Sequence, residues 1–164
     1  MVRRQMDKSA LCAVIVSQLE AAVNSASAAA DQARATATDK QNIAENKYDT
    51  LGLEAAYLAH GQSERVVQLA KSMEDFKELQ KTIQPHGRIE LGSLVALEDD
   101  FGSARYVLIG PSAGGHMVTF EGINITVITA SSPLGQSLMT RASDHEVVTE
   151  IAGKKINYLI SDLW

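Results

Sequence analysis

The sequence predicts an α+β protein: an N-terminal antiparallel hairpin of two long helices (a coiled coil), then an antiparallel β domain with one short helix. Two observations predict it. The first is an asymmetry of composition. All 3 prolines and nine of the 11 glycines lie after residue 82, whereas 16 alanines precede residue 83 and 6 follow it. Alanine is the best helix former, and glycine and proline punctuate turns. The second is periodicity, with apolar residues at spacings of three and four in the first half and short β-branched runs in the second.

The first helix is expected from about Ser9 to about Thr38, capped by Asp7 or Ser9. Its stripe is Leu11, Ile15, Leu19, Ala22, Ala26, Ala29 and Ala33. The second is expected from about Lys47 to about Thr82, with Leu51, Ala55, Leu58, Val66, Leu69, Met73, Phe76 and Ile83 as its stripe, interrupted by Gln62. A short connection, Asp39 to Asn46, makes the pair antiparallel. A helix of roughly 30 residues is about 45 Å long, so the hairpin would form a finger on a globular base. Gln84-Pro85-His86-Gly87 marks the joint, dividing the chain into residues 1–84 and 85–164, two halves expected to be separable.

In the second half, Leu94 to Leu97, Arg105 to Ile109, His116 to Phe120 and Ile123 to Ile128 read as strands. The last two are joined by Glu121-Gly122. Ser132-Pro133 starts a short helix, Leu134 to Met139, with serine as cap and proline at the first helical position. His145 to Ile151 and Lys155 to Ile160 form a final hairpin about Ala152-Gly153.

Composition narrows the function classes. The 164 residues carry a formal charge of −5, with 5 basic and 9 acidic groups after residue 82, so nothing draws the whole chain to nucleic acid. The single cysteine, Cys12, excludes an intrachain disulfide and an all-cysteine zinc site, and it is expected in the core. No apolar run approaches the roughly 20 residues of a membrane span, so a cytoplasmic protein without a membrane partner is expected. His60, His86, His116 and His145 show no metal-ligand spacing. Gly110 to Gly115 lacks the lysine and following helix of a phosphate loop, and no nucleophile elbow occurs.

Two stretches resemble the bacterial transcript-cleavage factors GreA and GreB. One is Ser132-Pro133-Leu134-Gly135-Gln136-Ser137-Leu138-Met139, preceded by Ile128-Thr129 and followed by Asp144-His145-Glu146-Val147. The other is Glu45-Asn46, with Glu54 further on, which resembles the family's hairpin tip. The resemblance implies a finger followed by an FKBP-like domain. It further implies a factor that enters the secondary channel of RNA polymerase, meets RNA only within the elongation complex and is not itself an enzyme. It implies that acidic tip residues help hold the polymerase's second Mg²⁺ during cleavage of backtracked RNA, the factor having no cofactor of its own. Two metals favour phosphodiester hydrolysis, and hard Mg²⁺ takes carboxylate oxygen.

The family tip reads Asp-x-x-Glu-Asn. Here Glu45 and Asn46 fall on its Glu-Asn, but Asn42 stands where the family has Asp. Glu45 and Asp39 are the candidate catalytic acids, and Glu45 the candidate metal ligand. Asn42, Asn46, Asp49, Ser132, Pro133 and Leu134 are the candidate polymerase contacts. Arg34, Lys40, Lys47 and Arg65, which would guide RNA, are scattered among acids. Plainer readings stay open: Asp39, Glu45 and Asp49 as ordinary helix-end charges, Leu134 and Leu138 as core. So do two other functions: a channel-occupying paralogue or dimerising protein without cleavage activity, and an FKBP-type prolyl isomerase or small-ligand binder. Only eight aromatic residues are available to line an isomerase pocket.

Overall fold

A computed structural model describes residues 4–38 and 51–164. Along the chain run α1 (Lys8–Thr38), α2 (Leu51–Thr82), β1 (Leu94–Asp99), β2 (Ala104–Gly110), β3 (Met117–Phe120), β4 (Ile123–Thr129), α3 (Pro133–Leu138), β5 (Glu146–Ile151) and β6 (Lys154–Leu163). A hairpin of two long helices thus precedes a β domain with one short helix. By packing, the chain forms two units: Ser17–Met73, and Met1–Val16 together with Glu74–Trp164.

The Ser17–Met73 unit is held by small side chains. Leu19, Ala26, Ala30 and Ala33 of α1 and Ala55 and Ala59 of α2 are buried. Arg34 Nη2 donates to Ser63 Oγ at 3.1 Å, and Ser63 Oγ donates to the Ala59 carbonyl at 2.8 Å. Two expected stripe positions are displaced. Ala30 is buried and Ala29 exposed; Ala59 is buried, while Leu58 is 57% exposed. The seam advances by four residues from Ala55 to Ala59 and from Ala26 to Ala30, where the expected stripes advanced by three. By length and composition alone α1 is long and apolar enough to cross a membrane, which corrects the expectation that no apolar run approaches that length. Its apolarity is largely alanine, interspersed with Ser, Gln and Asn.

In the other unit the sheet order is β3-β4-β2-β1-β6-β5. Every pairing is antiparallel except β2 with β4. That pair is parallel because β3 lies outside: the chain reaches β3, turns at Glu121-Gly122, and β4 slots between β3 and β2. Glu121 (φ 50°) and Gly122 (φ 78°) both adopt positive φ, as do Ala152 (φ 51°) and Gly153 (φ 75°) in the β5–β6 hairpin. This is the turn geometry whose twist matches paired strands. A register shift between Ala96 and Leu97 accommodates an extra residue in β6, where Ser161 Oγ donates to the Ala96 carbonyl.

Alternation gives the sheet two apolar faces. Val95, Leu97, Val107, Ile109, Ile128, Val147, Tyr158 and Ile160 form one core with Leu134 and Leu138 of α3. On the other face, a Cβ at Gly110 would lie 2.6 Å from Val127 Cγ1 and 3.0 Å from Phe76 Cζ. Phe76 of α2 is therefore packed onto the sheet, and Leu11, Cys12, Ile15 and Phe76 are wholly buried. Burying each large apolar side chain contributes about 1.5–3 kcal/mol. The helix ends and sheet share one unit, so its limits differ from a boundary at residue 84.

Candidate functional site

The corner between β4 and β5 holds the candidate site. Ser132 caps α3 in an extended conformation, and Pro133 follows at the first helical position. The serine Oγ accepts from Gly135 N at 3.1 Å and donates to the Thr129 carbonyl at 2.7 Å. It thereby fastens the start of α3 to the end of β4. Replacing Ser132 by alanine should cost about 1 kcal/mol, read as a lower urea midpoint at unchanged slope. No change in the midpoint would deny the cap that role.

From α3 the chain turns at Thr140 (φ 68°), then at Asp144 (φ 67°). Ile89 N donates to the Arg141 carbonyl at 2.7 Å, and Thr140 N to the Ile89 carbonyl at 2.8 Å. These bonds bring Arg88 beside the corner, where its Nη1 donates to the Thr140 carbonyl at 3.1 Å. The result is a cleft of about 740 Å³, lined by Arg88, Gln136, Ser137, Arg141, His145 and Glu146 among others. Two of the five basic side chains after residue 82 line it. Such a surface can offer guanidinium donors to carboxylates or carbonyls of a partner. The sequence gives no hint of the Arg88–Arg141 meeting, because backbone pairing of distant segments creates it.

The expected contacts divide. Pro133 is exposed and Ser132 half-buried. Leu134 is only 4% exposed and belongs to the core with Leu138, so it does not present its side chain to a partner. That is the plainer of the two readings offered by the sequence. Asp39, Asn42, Glu45, Asn46 and Asp49 lie outside the described residues, as do Lys40 and Lys47. Glu54, in the first turn of α2, is exposed. Arg34 is engaged by Asp31 at 3.0 Å as well as by Ser63.

Among the described residues no three His, Cys, Asp or Glu side chains converge as metal ligands. Burial pushes the Cys12 thiol up to about 11, against a smaller opposing pull from Lys8, so it is protonated at neutral pH. Burial lowers the pKa of His116.

No protein-family model matches the chain, and no curated protein matches it. Among solved structures, the chain is similar to the GreA factor homolog 1 (Gfh1) protein of Thermus thermophilus. Identity is 15%, coverage 91% of this chain and 94% of that one, and the TM-score 0.38. It is similar to Thermus aquaticus Gfh1 at 17% identity, covering 90% and 92%, with a TM-score of 0.39. A further structure, described as the transcription factor Gfh1, shares 18% identity over 99% of both chains, with a TM-score of 0.40.

Proposed function

We propose that the chain is a Gre-like transcription factor, which binds RNA polymerase through the secondary channel and modulates the cleavage of backtracked RNA. The observation that carries this reading is the order of parts. A hairpin of two long helices, with Glu45-Asn46 between them in sequence, precedes a β domain whose short helix opens with Ser132-Pro133. The capped corner and its Arg88–Arg141 cleft offer a rigid, polar surface for docking. The protein acts in the cytoplasm on the polymerase's own chemistry, with Mg²⁺ shared with the polymerase and none of its own.

Asn42 favours a second form of the same reading, a paralogue that occupies the channel and promotes little cleavage. A neutral amide cannot supply the second charge that a hard cation favours. The test of both forms is competition. The chain should displace a GreA or GreB factor from core RNA polymerase in low salt. Failure to bind core enzyme at tens of micromolar, on the order of −6 kcal/mol, would end the proposal.

A further inference from the structure

The unit that contains the sheet carries a second cleft, away from the α3 corner and not used by the proposed activity. It has a volume of about 690 Å³ and lies where the segment before α1, the first turn of α1, the chain after α2 and the end of β6 meet. Its apolar wall includes Met6, Ile83, Pro85, Leu163 and the indole of Trp164. Trp164 Nε1 donates to the Arg4 carbonyl at 2.5 Å, which fixes the ring.

The polar feature of the cleft is Lys8, only 7% exposed. Lysine is almost never so buried unless it is paired. Its Nζ donates to the Gln84 carbonyl at 3.0 Å, its single, neutral partner among the described residues. An ammonium has three donors. Among the described residues no carboxylate lies within ion-pair distance of Nζ, and Glu90 acts on it only through space. Asp7, also in the lining, turns an oxygen to cap α1, where Oδ1 accepts from Ala10 N at 2.9 Å. Burial accordingly lowers the Lys8 pKa, although the neighbouring Cys12 and Glu90 pull the other way.

We propose that this cleft is a binding site for a small aromatic carboxylate. The carboxylate takes the spare donors of the Lys8 ammonium, and the ring packs against Trp164, Ile83 and Pro85. The volume lies within the range of small-molecule sites, which combine an apolar wall with a few polar groups; here Lys8 and Asp7 are the charged groups of the lining. The chemistry disfavours a phosphate dianion. A dianion takes several cationic or forked donors, whereas the cleft supplies one ammonium and has the Asp7 carboxylate in its lining, so a single negative charge is the most it balances.

Trp164 is the only tryptophan of the chain, so its fluorescence reports on this cleft directly. Sodium benzoate, titrated into the full chain with excitation at the red edge of the indole band, should give a saturable change. Benzamide, with the same ring and no charge, should bind at least about tenfold more weakly, as expected for loss of a hydrogen bond between charged groups. Lys8→Met should lose benzoate binding to the same extent, and Lys8→Arg should keep most of it. The benzamide comparison uses the native chain, so the test survives if Lys8→Met fails to fold. The absence of a saturable signal to tens of millimolar, or equal affinity for benzoate and benzamide, would overturn the proposal. Equal affinity of the native chain and a folded Lys8→Met variant would do the same. None of these results depends on whether the chain binds polymerase.

Discussion

Replacing Gly135 by alanine should destabilise the protein by about 3 kcal/mol, more than most single substitutions. An alanine Cβ at this position would lie 2.0 Å from the Thr129 carbonyl oxygen and 2.9 Å from Ser132 Oγ. Both are parts of the cap, and the carbonyl belongs to the backbone at the end of β4, so neither can swing aside cheaply. Relief requires α3 to move away from β4, which lifts Leu134 and Leu138 out of the core. Gly61, inside α2 with nothing within 4 Å of its virtual Cβ, is the natural control. Gly61→Ala should stabilise by up to about 1 kcal/mol, since alanine is the better helix former. Urea unfolding of both variants measures the contrast. A Gly135→Ala midpoint equal to the native one would show that α3 has room which the geometry denies.

The second large effect is expected at the connection between the helices. Glu45→Ala should abolish whatever RNA cleavage the native chain stimulates while leaving polymerase binding nearly intact. The long helices and the β domain supply most of the docking surface in the proposed mode. Asn42→Asp should raise cleavage, because it restores a carboxylate three residues before Glu45 and affinity for a hard cation rises with ligand charge. The measurement is the cleavage rate in stalled, backtracked complexes at saturating factor and fixed Mg²⁺. Robust native cleavage indifferent to Glu45→Ala would sink this account of the tip. So would an Asn42→Asp variant that binds normally and gains nothing.

Much of the fold was legible in the sequence because its local signals were strong and mutually consistent. Ser132-Pro133 specified its helix start through cap chemistry, and Gly122 and Gly153 marked the two hairpin turns β3–β4 and β5–β6, where φ is positive. Leu11, Ile15, Leu19 and Phe76 fell on helical stripes and are buried. Alanine-rich stretches were less legible. With Ala28, Ala29 and Ala30 consecutive, hydrophobicity does not say which one faces the seam, and packing selects Ala30. The parallel β2–β4 pair left no local mark either, since strand order depends on which edge β3 takes. At the candidate site, the cap was readable from neighbouring residues, whereas the approach of Arg88 to Arg141 depends on long-range pairing. Lys8 was illegible for a related reason. In sequence it is an ordinary lysine at a helix start, and its hydrogen-bond partner, the Gln84 carbonyl, is brought alongside by tertiary structure.

The position of β6 has a consequence for synthesis. This strand, the last in the chain, lies inside the sheet between β1 and β5. Until it emerges from the ribosome, β1 has a hydrogen-bonding edge with no neighbour, and β5 has no strand to pair with. The helices need only local contacts and can form early, but the sheet cannot close as it is made. At roughly 5–20 residues per second, β1 waits several seconds for its second partner. During that interval its Leu94, Val95 and Leu97 are the surface on which a nascent-chain chaperone would act.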